Sequence, residues 1–451
     1  MDLKGKRALV IGLGKTGVET ARFLVGRGTD VVLCDEKPES ELRPFVDKLD
    51  DLKVDLKMGC HSTELLSGVD LIVPSPGVPP VNVLLKNAVK EGVEIVSEIE
   101  LAGRFINRPY IAITGTNGKT TTTKLLGEIL TRWGKKVFVG GNIGNPLISY
   151  LNGEKKEEYL VVEVSSFQLQ WMSFFHPSVA VLLNTSSDHL DYHESFEEYR
   201  SVKERIFVNQ LGGDRAILNA DESPSPGLLE GIKAEIIRFS SSSSLERGIF
   251  LDGGALHYLD SRGEREVYPI SNIRLKGIHN LENIMAAIVA ARWCGCPPET
   301  IIDTLEKFDG MPHRVECVGE KNGVAFYNDS KGTNVGAVER ALESFPGSVI
   351  LLMGGRDKGG DFERLREPIG QKVRQLVLFG EAGDRIHRLL GNIVETEVVE
   401  GLGDAMVLAF SVSKPGDTVL LSPGCSSFDE FENYEARGDF FKESVNRMAV
   451  R

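Results

Sequence analysis

Short apolar runs alternate with amphipathic stretches along most of the chain. Arg7–Ile11, Tyr110–Thr114 and residues 159–164, 179–184, 348–353, 375–379 and 418–421 are rich in Val, Ile and Leu. Runs of this length and content suit strands buried on both faces of a parallel sheet. Helical spacing follows several of them, over residues 17–26, 119–133, 334–345 and 431–448. The rhythm of strand, turn and helix predicts an α/β protein. Three blocks are expected: residues 1–97 with one glycine-rich turn, 98–310 with a second, and 311–451. Within the middle block, Ser223-Pro-Ser-Pro-Gly227 and the serines of 240–244 read as surface loops.

Composition narrows the function classes. At 451 residues the chain has room for about three domains of roughly 150 residues. Acidic residues outnumber basic ones 65 to 52, a formal net charge of −13. That balance argues against a general binder of nucleic acid or anionic membrane, which needs a broad positive surface. No run approaches the roughly 18 apolar residues of a membrane span, and residues 1–7 do not resemble a signal peptide. The six cysteines form no CxxC pair, so free thiols in a reducing cytoplasm are expected rather than disulfides or a zinc site.

Two turns carry candidate chemistry. Gly12-Leu-Gly14-Lys15-Thr16-Gly17 follows the run Arg7–Ile11 and matches GxGxxG, with Asp35 after a second apolar run at 30–33. Glycines there let the backbone approach a diphosphate at a helix N-terminus. NAD, another nucleotide diphosphate and a ligand-free tight turn all satisfy this motif. Gly115-Thr116-Asn117-Gly118-Lys119-Thr120-Thr121 stands between the run Tyr110–Thr114 and a helical stretch. A full Walker A motif needs glycine where Ile113 stands. The working parts are nevertheless present: small residues to wrap phosphates, a lysine for the β- and γ-phosphates, and a hydroxyl for Mg²⁺. Two phosphate turns in separate blocks point away from a simple dehydrogenase. They suggest an enzyme that holds a nucleotide-like substrate and consumes ATP.

At this turn the chain resembles the Mur ligases, ATP-dependent amide-forming enzymes of peptidoglycan precursor synthesis. Further carriers are Ser75-Pro-Gly77, Gly141-Asn-Ile-Gly144, Glu163-Val-Ser-Ser-Phe-Gln168, Asp188-His189, Lys203 within 199–207, His279-Asn280 with Asn283, Met311-Pro-His-Arg314, Asn328-Asp-Ser-Lys-Gly-Thr-Asn334, residues 354–362 and Ser422-Pro-Gly-Cys-Ser-Ser-Phe428. The resemblance covers nearly the whole chain and is nearest to the branch that adds D-glutamate to UDP-N-acetylmuramoyl-L-alanine. It implies a Rossmann-like N-terminal domain for the UDP-sugar, a central P-loop-type ATPase domain with a mostly parallel sheet, and a Rossmann-like C-terminal domain completing the ATP and D-glutamate sites. A cytoplasmic monomer using ATP and Mg²⁺, with no nucleic-acid or membrane partner, is expected. Another amide ligase of the superfamily, such as a folylpolyglutamate synthetase, is the near alternative; a NAD-binding redox module is the distant one.

The resemblance also implies residue roles. Gly115, Thr116, Asn117, Gly118, Lys119, Thr120 and Thr121 would wrap the ATP phosphates. Asn283 would meet adenine, Arg314 and Lys331 phosphates, and Asp329 the ribose. Thr120, Glu163, His189 and Lys203 would hold Mg²⁺, Lys203 after its amine takes up CO₂ as a carbamate. On residue pattern alone Lys203 reads as a solvated lysine, and N-capping stands beside a binding role for Asn280 and Asn283, with equal weight for Asn280. Gly14, Lys15, Thr16, Asp35, Gly77 and Asn142 would contact the UDP-linked substrate. Thr333, Lys358, Ser427 and Phe428 would form the D-glutamate pocket. Lys119, Glu163, His189 and Lys203 are the candidate catalytic groups.

Overall fold

The computed structural model describes residues 1–451 except 60–61, 187–192, 194, 261–262, 276 and 449–451. It contains three sheets flanked by helices, an α/β architecture as the alternation predicts. The chain divides into two compact units, Met1–Ile273 with Glu282–Glu306 and Arg274–Leu281 with Lys307–Arg451. The first two sheets belong to the first unit and the third sheet to the second.

The first sheet has five parallel strands in the order Val54–Met58, Asp30–Asp35, Arg7–Ile11, Leu71–Pro74, Glu94–Ile95. Strand order reverses between Arg7–Ile11 and Leu71–Pro74, and ligands of open α/β sheets bind at the strand C-termini beside such a reversal. Both expected contact turns, 12–17 and 75–77, stand there. They are tied together: Ser75 Oγ donates to the Gly12 carbonyl at 3.0 Å. A Cβ on Gly17 would lie 2.2 Å from the Gly12 oxygen, so only glycine allows the following helix this close to the turn.

The second sheet has nine strands, ordered Arg265–Pro269, Ala255–Leu259, Gly248–Asp252, Glu235–Ser240, Arg215–Asn219, Val179–Leu182, Tyr110–Thr114, Tyr159–Glu163, Val137–Gly141. The pairings from Gly248–Asp252 to Val137–Gly141 are parallel, and the two at the other edge antiparallel. The strands Tyr110–Thr114 and Val179–Leu182 are wholly buried, as continuous apolar runs require. Helix Ile278–Trp293 is buried over Ile284, Met285, Ala286, Ala287, Ile288, Val289, Ala290 and Ala291. Apolar side chains around its whole circumference are what a helix buried on every face requires. Asn280 and Asn283 lie inside this helix, so the N-capping reading of Asn280 is corrected. Ser240 is likewise no loop serine: it ends its strand fully buried and donates to Asp221.

The third sheet runs Glu316–Lys321, Val324–Asn328, Thr418–Gly424, Val349–Gly354, Val373–Phe379, Glu395–Val398. Only its first pairing is antiparallel. Strand order reverses between Val349–Gly354 and Thr418–Gly424, and the loops carrying Lys358 and Ser427 leave these two strands at their C-terminal ends.

Candidate active site

The second glycine turn closes strand Tyr110–Thr114 and opens helix Lys119–Arg132. Gly118 caps the helix with φ +83°, and a Cβ there would lie 2.0 Å from Asn283 Oδ1. The left-handed backbone and the close approach both demand glycine. Thr120 and Thr121 are buried in the first helical turn, where free amides and the positive end of the dipole favour an anion. Lys119 Nζ folds back onto the Gly115 and Thr116 carbonyls, 2.8 Å from each.

Helix Phe196–Glu204 braces the turn from the other side. Lys203 Nζ donates to the same Gly115 carbonyl at 2.9 Å and lies 4.5 Å from the Tyr199 ring centroid. At 1% exposure Lys203 is not the solvated lysine its neighbours in sequence suggest. Tyr199, Val202 and Lys203 share the buried face at helical spacing. The Tyr199 hydroxyl is 3.2 Å from Thr116 Oγ1. Asn184, beyond strand Val179–Leu182, receives the Asn117 amide at 2.9 Å and returns a bond to the Asn117 carbonyl at 3.2 Å. Two segments distant in sequence thus hold the phosphate turn.

Glu163 ends strand Tyr159–Glu163 and is 2% exposed. Asn142 Nδ2 donates to its Oε1 at 2.9 Å, while Oε2 is buried without a hydrogen-bond partner among the described residues. A buried carboxylate oxygen left unpaired is costly. In the first domain, exposed Lys15 donates to the Gly144 carbonyl at 2.8 Å, joining the first glycine turn to the loop after Asn142. Gly14 caps the helix after that turn, Thr16 is half-buried in its first turn, and Gly77 is exposed. Asp35 faces inward, its carboxylate accepting from the Leu13 and Lys37 amides at 2.7 and 2.9 Å. His189 lies outside the described residues.

The second unit gathers its own candidates. Asp329 is buried; it accepts from Ser422 Oγ at 2.7 Å and from the Val315 amide at 3.3 Å. Burial pushes its carboxyl up to about 7, against the pull of Ser422 and Arg314. Arg314 stands between His313 and Val315, both at positive φ (+62° and +44°), and its Nε is buried without a partner among the described residues. A β-branched valine in that region is strained, and such strain collects at functional sites. Lys331 Nζ lies 5.2 Å from the Tyr434 ring centroid, and half-buried Thr333 follows on the same loop. Lys358 and Phe428 are exposed and adjacent, Nζ 6.0 Å from the ring centroid, with buried Ser427 beside them.

Family models match three stretches: "Mur ligase MurD-like, N-terminal domain" over residues 6–97, "Mur ligase middle domain" over 113–291, and "Mur ligase, glutamate ligase domain" over 313–425. The UDP-N-acetylmuramoylalanine--D-glutamate ligase of Syntrophus aciditrophicus is 53% identical over 450 residues, covering 100% of this chain and 99% of its own. The chain belongs to the Mur ligase family. The same-named enzyme of Geotalea uraniireducens is 46% identical over 448 residues, covering 99% of each chain. Among solved structures, the MurF ligase of Thermotoga maritima in complex with ADP aligns with TM-score 0.60 at 20% identity, covering 100% of both chains. A pseudomurein peptide ligase type C from Methanothermus fervidus aligns with TM-score 0.61 at 20% identity, covering 99% of this chain and 100% of its own. At that identity the two structures speak for the fold alone.

Among the described residues no group of three or more His, Cys, Asp or Glu is arranged to hold an ion. The donors present are of another kind. The unpaired Glu163 Oε2 and the Thr120 hydroxyl are hard oxygens that fit Mg²⁺. Lys203 offers a nitrogen beside the phosphate turn, and an oxygen donor only after CO₂ addition.

Some functional groups escaped the sequence pattern. Arg437, one of three cations in the helix Tyr434–Arg447, is fully buried and donates to Ser330 Oγ, to the Ser330 carbonyl and to the Cys425 carbonyl at 2.9–3.0 Å. It ties the loop bearing Lys331 to the loop bearing Ser427. Asn184 and Tyr199 carry no signal of their own in one sequence.

Proposed function

We propose that this protein joins D-glutamate to UDP-N-acetylmuramoyl-L-alanine with cleavage of ATP to ADP and phosphate. The observation that carries this reading is identity of 53% along the full chain to a ligase of that name. It is supported by a braced phosphate turn with an unpaired buried carboxylate in the same unit. Residues 1–97 take the UDP-sugar, 98–310 the ATP, and 311–451 supply further ATP and D-glutamate groups. The protein acts as a monomer in the cytoplasm, where its nucleotide substrates are made.

The alanine carboxylate attacks the γ-phosphorus, forming an acyl phosphate and releasing ADP. The D-glutamate amine then attacks the acyl carbon, and the C–O bond breaks to release phosphate. Phosphoryl transfer of this kind rests on positioning and charge neutralisation. The amides of Gly115, Thr116, Asn117 and Gly118 enclose phosphates, with Thr121 packed beneath. Lys119 leaves the Gly115 and Thr116 carbonyls for the β- and γ-phosphates. Thr120, Glu163, His189 and Lys203, once its amine has taken up CO₂, would hold Mg²⁺, which would supply neutralising charge when bound. Asn142 orients the reacting carboxylate while holding Glu163.

Asn283 meets adenine, Arg314 and Lys331 meet phosphates, and Asp329 serves the ribose. Thr333, Lys358, Ser427 and Phe428 receive D-glutamate, Lys358 pairing with a carboxylate. Gly14, Lys15, Thr16, Asp35 and Gly77 form the turns that receive the UDP moiety.

Phosphate release with ATP, Mg²⁺ and UDP-N-acetylmuramoyl-L-alanine tests the reading across D-Glu, L-Glu, L-Ala, L-Lys and diaminopimelate. Release with D-Glu alone is expected. Equal turnover with L-Lys, or none with any amino acid, refutes it.

A further inference from the structure

Glu98 opens helix Glu98–Gly103, immediately after the capping residue Ser97, and is 1% exposed. Its Oε1 accepts the Ile148 amide at 2.5 Å and its Oε2 the Gln168 Nε2 at 3.5 Å. No cation faces it. The segments packed around it, 74–78, 145–148 and 165–168, carry no titratable side chain. On its own helix, Glu100 turns to the Ser173, Phe174 and Phe175 amides and to Arg104. Burial alone pushes the Glu98 carboxyl up to about 7.

The two donors lead to the two walls of the reacting centre. Gln168 has no orientational freedom: its Oε1 accepts from the Ser165 amide and hydroxyl at 3.0 and 3.1 Å, so its Nε2 must find an acceptor at Glu98. Ser165 stands two residues after Glu163. Ile148 closes the loop that begins at Asn142, whose turn is fixed by the Gly141 amide on the Asn145 carbonyl at 2.7 Å. A neutral acceptor would cost less to bury but would not offer two acceptor oxygens to two N–H groups at once.

We propose that Glu98 is a positioning residue of the ligase reaction, whose carboxylate holds the Asn142 loop and the Glu163 turn in mutual register. The inference rests on the function proposed above. Glu98→Gln sets an amide NH₂ against a donor, either Gln168 Nε2 or the Ile148 amide. The expected result is a folded protein with Tm held or raised, an unchanged KM for ATP, and a kcat lowered on the order of tenfold or more. The paired exchange Glu98→Gln with Gln168→Glu reverses donor and acceptor in the bond between the two side chains alone, leaves the Ile148 and Ser165 groups their acceptors, and should restore most of kcat.

Unchanged kcat in Glu98→Gln, or an exchange variant no better than Glu98→Gln, overturns the inference. So does failure of both variants to fold, which would make the carboxylate a folding requirement only. Wild-type protein inactive with D-glutamate overturns the proposed function and this inference together; active wild type with an equally active Glu98→Gln overturns this inference alone.

Discussion

Replacing Gly118 by alanine perturbs the phosphate turn in two separable ways. The residue sits at φ +83°, where an L side chain costs about 1–2 kcal/mol. The new methyl would also lie 2.0 Å from Asn283 Oδ1, so the Asn283 side chain must leave its position. Asn283 is buried, and an off-rotamer shift costs about 0.5–1.5 kcal/mol. Together Gly118→Ala should lose roughly 1.5–3.5 kcal/mol in urea unfolding. Gly92→Ala is the control: Gly92 has φ +72° and open space around its Cβ, so it carries the backbone cost alone. The kinetic consequence separates the two further. Displacing Asn283 from the adenine contact proposed for it should raise the KM for ATP in Gly118→Ala and leave it unchanged in Gly92→Ala. Equal stability losses with equal KM values would refute the assignment of Asn283 and the close packing on which it depends.

Other substitutions probe the remaining parts. Lys119→Ala should abolish phosphate release with the circular dichroism spectrum intact. Lys203→Ala should lose activity and regain part of it with added short carboxylic acids, which replace the carbamate; full activity of the plain variant would exclude that role. Asp329 is raised above its unfolded pKa, so its contribution to stability is present below about pH 4 and is lost as pH rises through about 7. Urea unfolding of Asp329→Asn against wild type should therefore favour the variant more at pH 8 than at pH 5.

Strands such as Tyr110–Thr114 were legible because burial on both faces leaves an unbroken apolar run. Val54–Met58 was not: half-exposed at the sheet edge, it reads Val-Asp-Leu-Lys-Met, and alternation over five residues is a weak signal. The antiparallel pairs at 248–269 and 316–328 are obscured in the same way. In the site, spacing marked the phosphate turn because glycine, lysine and threonine each have a geometric task there. Lys203 reads as solvated and Arg437 draws no notice, since a local window shows charges around them but not the distant carbonyls they serve: Gly115 lies 88 residues from Lys203 and Ser330 lies 107 from Arg437. Glu98 was invisible for the same reason, its donors being 50 and 70 residues away.

The central claim is that the substrate carboxylate is activated as an acyl phosphate and passed to D-glutamate. Labelling that carboxylate of UDP-N-acetylmuramoyl-L-alanine with ¹⁸O and analysing the released phosphate by mass spectrometry tests it most directly. The account predicts one labelled oxygen transferred to each phosphate formed with D-glutamate. Unlabelled phosphate accompanying formation of the amide would contradict it.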